Sequence, residues 1–413
     1  MRIAPIACAL LLVLAGCGAA PGGPSPTAAP ESTQSPTPEA EPSPTPSAGV
    51  TPDGNGVSIA GDRLAVDPDP VFERVLNLTG TDVRPPTVYT AESADLPSRG
   101  ASSFYASLGI TPPDERVGAA GAATDPSTVY LFAPVLGNET GVERTLAHEF
   151  VHTVQYRTGW MDDLLSSLSA GQQWTYDVRK TRSLVVEGAA THVEAQYRRA
   201  FMPSTEPVSY AERYREATAW NRLVLAPYRY GPGYVEERLD DGDDLAAIHT
   251  DPPNSTEQVL HGSDDPIAPL NVTADEVGEW ERRTGATQGE LFVRVALRTE
   301  LNRSTAVDAA HGWGNDRRLT YDRGEATATA WVLRWDDAEN ATEFETAFER
   351  YLDAKATRNE GVWTREDGNT TYRLERVSDR NVVVYLGNES FVRAANVTTA
   401  AGPRVTIGNA SAA

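Results

Sequence analysis

The sequence predicts an α+β protein. A mainly helical body with a small mixed sheet comes first, and a smaller α/β C-terminal domain follows. Three observations predict this class. Stretches such as 142–154 and 184–194 place apolar residues at helical spacing. Short β-branched and aromatic runs at 86–90 and 127–132 stand ahead of the first of those helices. Beyond residue 312 the pattern turns to alternation, clearest from Ala326 to Trp335, the mark of strands. At 413 residues the chain has room for two or three domains with ample core.

Taken in order, residues 1–17 carry Arg2, an apolar run from Ile3 to Leu14, and then Ala15-Gly16-Cys17. That run is too short to span a bilayer and fits a signal-peptide core. The Leu14-Ala15-Gly16-Cys17 ending resembles a lipoprotein signal, which implies a lipid anchor at Cys17. A plain secretory signal is the competing reading. Residues 18–52 are built from Pro, Ser, Thr, Ala and Glu, with almost no large apolar side chain. Such a segment cannot form a core and reads as an extended, disordered stalk. The expected layout is therefore signal 1–17, stalk 18–52, helical body 53–285, α/β domain 286–400 and a flexible tail over 401–413.

In the body, 68–78 and 101–109 have helical spacing, and the two strands follow. Next comes Val142-Glu-Arg-Thr-Leu-Ala-His148-Glu149-Phe-Val-His152-Thr-Val-Gln-Tyr156. Residues four apart lie one turn apart on one helix face, so His148 and His152 can share one zinc ion. Glu149 beside them can reach a metal-bound water as general base. Thr140-Gly141 and Gly159 mark the ends expected for this helix.

Two histidines leave zinc one protein ligand short. The segment Leu184-Val-Val-Glu187-Gly188-Ala-Ala-Thr191-His192-Val-Glu194 offers Glu187 as the third ligand, on a helix whose small residues permit close packing against the first. Glu194 and Thr191 share its face and could orient a ligand from behind. His192 and Glu194 are the rival ligands. Hydrolysis at a carbonyl also needs a donor to the oxyanion. Tyr228, in Tyr228-Arg-Tyr230-Gly231, is the candidate, set at the start of an apolar helix, with Tyr230 as runner-up.

Together, HEFVH, VEGAATHVE and YRYG resemble the gluzincin metallopeptidases, in which HExxH is followed by E-G-x-A on a later helix and then by Tyr-x-x-Gly. The resemblance implies that His148, His152 and Glu187 bind zinc, that Glu149 is the general base, and that Tyr228 stabilises the tetrahedral intermediate. The HExxH helix lacks the HxxGxxH continuation of metzincins, since Gln155 and Thr158 stand where Gly and His would be required. A narrower likeness covers about 85–355. HEFVHTVQ, VEGAAT, Pro252 to His261 and Gly312 to Arg317 occur in this order in a group of secreted proteins, haloarchaeal surface lipoproteins among them. It implies a fold and a zinc site rather than a substrate. Glu257 and His261 could line the cleft, or simply belong to a capped helix.

In the C-terminal third, 288–301 and 341–354 read as helices, while 326–335, 361–364, 370–376 and 381–386 read as strands. No catalytic constellation stands out there.

Composition narrows the setting. The net charge is −22, and Lys180 and Lys355 are the only lysines, so nucleic acid is not an expected partner. Abundant acid with scarce lysine suits molar salt, where the Debye length is about 3 Å. The only cysteines are Cys8 and Cys17, which leaves no disulfide for the body. Ten N-x-S/T sequons use ten of fifteen asparagines, against about two expected by chance. The expected protein is a halophilic, lipid-anchored, glycosylated zinc metallopeptidase at the outer face of the cell membrane, acting on peptide or protein substrates. The alternative is a zinc-containing but non-catalytic surface protein.

Overall fold

The computed structural model describes residues 56–92, 102–113, 119–169, 175–240, 242 and 244–409. The expected N-terminal signal with Cys17 and the expected 18–52 stalk lie outside these residues. The fold is α+β and divides into two compact units, one from residues up to 95 plus 117–157, the other from 96–116 plus 158–413.

The first unit contains β1 (Ser58–Ala60), α1 (Pro68–Thr79), β2 (Thr87–Ala91), β3 (Gly121–Asp125), β4 (Thr128–Phe132), α3 (Ala133–Leu136) and α4 (Glu139–Arg157). Its sheet runs β1-β2-β4-β3. The first three strands are parallel and β3 is an antiparallel edge. Val88, Val129 and Leu131 point to one face and are buried, and Phe72 of α1 packs edge-on against Phe150 of α4 at 5.1 Å. Helix α4 starts earlier than the sequence suggests. Asn138 accepts a hydrogen bond from Gly141 N through its Oδ1 at 3.1 Å and so caps the helix. Gly159, at φ +85°, follows its end.

The second unit opens with α2 (Ser103–Ser107). Helices α5 (Trp160–Ser169), α6 (Tyr176–Phe201), α7 (Tyr210–Glu216), α8 (Ala219–Asp240), α9 (Leu245–Thr250) and α10 (Thr256–His261) follow. Then come β5 (Asn271–Ala274), β6 (Glu281–Ala286), α11 (Glu290–Leu297), α12 (Arg303–Asp308), β7 (Trp313–Arg323), β8 (Ala326–Trp335) and α13 (Ala338–Lys355). The chain continues with β9 (Thr357–Asn359), β10 (Val362–Thr364), β11 (Thr371–Arg376), β12 (Asn381–Gly387), α14 (Glu389–Ala394), β13 (Ala395–Ala401) and β14 (Arg404–Asn409). Among the described residues, no helix is long and apolar enough to cross a membrane.

Seven of these strands form one antiparallel sheet in the order β6-β7-β8-β12-β11-β10-β9. Both of its faces are buried. Trp331, Leu333, Trp335, Val382 and Val384 join one core with Phe292 of α11 and Phe344, Phe348 and Tyr351 of α13. Ala330, Val332, Val383 and Tyr385, pointing the other way, pack with Phe391 of α14 and with Val405 and Ile407.

One expectation changes here, and two features appear that the sequence does not show. Residues 404–409 are not a frayed tail: β14 pairs with β13 on one side and β5 on the other, and its Val405 and Ile407 are fully buried. Residues 313–323 form the long strand β7, hidden in the sequence by its run Asn315-Asp-Arg-Arg318. Helix α13 is capped by Asp337, whose Oδ1 accepts from Glu339 N and Asn340 N, so Asn340 lies inside the helix and is not its cap.

Candidate metal centre

Helix α4 brings His148 and His152 to one side, one turn apart, with ring centroids 4.9 Å apart and nearly perpendicular. Both are buried, as is Glu149 between them. One turn on, Gln155 Oε1 lies 2.7 Å from His152 Nδ1. An amide oxygen can only accept, so Nδ1 carries the proton and donates. This is the arrangement that orients histidine ligands in metalloproteins.

The edge strand β3 comes close to this face of α4. A Cβ on Gly121 would stand 2.7 Å from Thr145 Cγ2 and 3.0 Å from Glu149 Cγ. Glycine at 121 is what lets the strand lie against the Glu149 stem.

Helix α6 presents Glu187, which is buried. His148, His152 and Glu187 each offer one ligand atom, and these atoms lie within 4.8 Å of one another. Among the described residues this is the one such group of histidine and carboxylate side chains. Two histidines and a carboxylate, with His152 oriented by Gln155, are a donor set that could hold a metal ion.

The rivals on α6 go elsewhere. His192 Nε2 lies 2.9 Å from Gln196 Nε2, one turn along the same helix, and burial lowers its pKa. The Thr191 hydroxyl is buried and makes no hydrogen bond, so it does not hold Glu187. Glu194 is buried but stands outside the metal group.

Helix α8 carries Tyr228, in the helix interior and not at its start. Pro227 and Pro232 both fall inside the helix, and the sequence Pro-Tyr-Arg-Tyr-Gly-Pro-Gly reads as a turn for that reason. Tyr228 is buried, with its ring stacked on Tyr210 at 5.2 Å. Tyr230 points to another side, edge-on to Tyr214 at 5.3 Å.

The small residues after Glu187 serve a contact the sequence does not reveal. A Cβ on Gly188 would sit 2.6 Å from the Gly231 carbonyl carbon, and one on Gly231 would strike the Leu184 carbonyl oxygen and sit 2.7 Å from Gly188 Cα. Here α6 and α8 cross backbone on backbone. The crossing stands next to Glu187 on one helix and one turn from Tyr228 on the other. Lys180 Nζ makes a second tie, donating to Leu223 O at 2.7 Å. Burial pushes Lys180 down to about 8, with Glu187 acting the other way.

The start of α6 is anchored by the two motifs for which sequence alone gives no role. Asp177 N donates to Thr287 O, and Asp177 Oδ1 accepts from Thr256 N at 3.1 Å and Thr256 Oγ1 at 2.7 Å. Asp316 accepts from Gln288 N, Gly289 N, Trp313 Nε1 and Trp331 Nε1, fixing the loop ahead of α11. Burial raises the pKa of both acids, Asp177 to about 7. His261 pairs with Glu290 at 3.0 Å, and buried Glu257 is pushed up to about 8 by burial and then by Glu290.

Residues 274–405 match a family model described as a domain of unknown function, DUF8575. That stretch takes in the whole seven-stranded sheet and excludes α4, α6 and α8. No curated protein and no solved structure matches the chain significantly.

Proposed function

We propose that this chain is a zinc-dependent metallopeptidase of gluzincin type, tethered outside the cell by a lipid on Cys17. The observation that carries the reading is the buried His148–His152–Glu187 group, with His152 oriented by Gln155. A divalent ion held there supplies Lewis-acid polarisation of a water and of the scissile carbonyl. Glu149 takes the proton of the attacking water and passes it to the leaving amine. The Tyr228 phenol donates to the oxyanion. The edge strand β3, beside Glu149, borders the region where the substrate backbone runs. Outward tethering draws its support from the apolar run ending at Cys17, the stalk and the acidic composition.

The test is metal content and cleavage of a diverse peptide library in high salt, beside Glu149→Gln. The expected result is about one zinc per chain in both proteins, with turnover in the variant lower by roughly 10²–10⁴-fold or more. Wild-type turnover in Glu149→Gln would sink the mechanism. Zinc without cleavage in either protein would make the site structural.

A further inference from the structure

What the side-chain nitrogen does sets two asparagines apart from those in the sequons. Asn315 and Asn381 use it inside the fold: Nδ2 of Asn315 donates to Ala268 O at 2.7 Å, and Nδ2 of Asn381 to Gly402 O at 3.0 Å. Neither stands in an N-x-S/T sequon. The ten sequon asparagines are placed differently. Asn77, Asn138, Asn254, Asn271, Asn302, Asn369 and Asn409 are exposed, Asn340, Asn388 and Asn396 are half-buried, and none is buried. Where Asn138, Asn302 and Asn388 cap helices, the atom they use is Oδ1. N-glycosylation bonds the sugar to Nδ2 and leaves Oδ1 in place, so these caps survive modification.

We propose that the exposed sequons are N-glycosylation sites, and that they leave residues 139–253 bare. In the reaction Nδ2 forms a bond to the anomeric carbon of a lipid-linked oligosaccharide. The bond from that carbon to the lipid phosphate breaks, the phosphate leaves with its electron pair, and one amide proton is lost. No sequon lies between Asn138 and Asn254, the stretch that holds α4, α6 and α8. Seven of the ten lie from Asn271 onward, over the C-terminal sheets and helices. Asn340 is the exception that sharpens the rule. It is half-buried with its amide pressed on Gly312, where a Cβ would come 2.8 Å from Nδ2, and it stays unmodified.

The inference rests on export to the cell surface and not on zinc. Its test is peptide mass spectrometry of the full chain isolated from its own cells, after fractionation into envelope and cell interior. The expected result is glycan mass on the peptides of Asn77, Asn271, Asn302 and Asn369, and none on those of Asn340, Asn315 and Asn381. Asn77→Gln and Asn369→Gln each remove one glycan mass and leave zinc content unchanged. Surface-located chain with every exposed sequon unmodified would overturn the proposal while export stood. Recovery from the cell interior would overturn both. Full occupancy of Asn340 would overturn the rule that accessible Nδ2 selects the sites.

Discussion

Helix α13 and the pair α4 and α6 are buried in different ways. In α13 the buried residues are Ala341, Phe344, Ala347, Phe348, Tyr351 and Leu352, a single apolar stripe with an exposed face opposite. Helix α4 buries Thr145, His148, Glu149, His152, Thr153 and Gln155 along with its apolar residues, and α6 buries Asp177, Lys180, Glu187, Thr191, His192 and Glu194. An unsatisfied buried polar group costs about 1–3 kcal/mol, so packing alone does not select such helices. The lesson is that α13 shows what this chain does when a helix has only to be held, while α4 and α6 bury polar side chains, a possible metal-binding group among them, against that gradient.

The contrast can be tested by breaking each side. The largest effect belongs to the packing side. Phe344 stacks between Trp335, at 4.7 Å, and Phe348, at 5.2 Å. Phe344→Ala should cost about 3–5 kcal/mol in denaturant unfolding and leave zinc stoichiometry intact. A loss below about 1 kcal/mol would show that α13 is not held by its stripe. Gly188→Ala comes next. Its new methyl meets the Gly231 backbone, which cannot swing away, so a cost of about 1–3 kcal/mol should exceed the helix-propensity gain of about 1 kcal/mol. A stabilised variant would mean that the two helices can separate at little cost.

On the chemical side, Gln155→Ala should leave the fold unchanged and weaken zinc binding by about 10–100-fold in chelator competition, because His152 loses the acceptor that fixes its tautomer. Equal affinity would remove Gln155 from the site. The last test is of pH dependence. Asp177 and Glu257 have folded pKa values above their ordinary ones, raised from 3.8 to about 7 and from 4.5 to about 8. Their protonated forms therefore favour the fold, and that contribution is lost as pH rises through those windows. Asp177→Asn keeps an oxygen for Thr256 and should flatten the stability curve between pH 3.8 and about 7. An unchanged slope would show that Asp177 ionises in the fold without cost.

Much of this is legible in the sequence because local periodicity carries it. The HExxH spacing sets His148 and His152 on one helix face, and Ala326–Trp335 alternates as β8 does. Tyr228 reads as a helix start because Pro227, Gly231 and Pro232 punctuate the sequence, yet α8 runs through them. The prolines are accommodated there, and Gly231 is needed by Gly188 rather than by a turn. Strand β7 is hard to read because Asp316, a charged residue, is one of its most buried positions, held by two indoles and two backbone amides. Partners that lie up to 28 residues away leave no trace in a local pattern.

The ties at the start of α6 set where this protein can be cut. A fragment ending at residue 285 would keep every candidate zinc ligand. It would nonetheless lose Thr287, which accepts from the first turn of α6, the Gln288-Gly289 pair held by Asp316, and α11, whose Leu291 N donates to Thr256 Oγ1. The helix that displays Glu187 would keep the bonds from Thr256 to Asp177 but lose the tie from Asp177 N to Thr287. Any shortened chain meant to capture the centre must therefore extend through β8, so that Trp331 closes over Asp316.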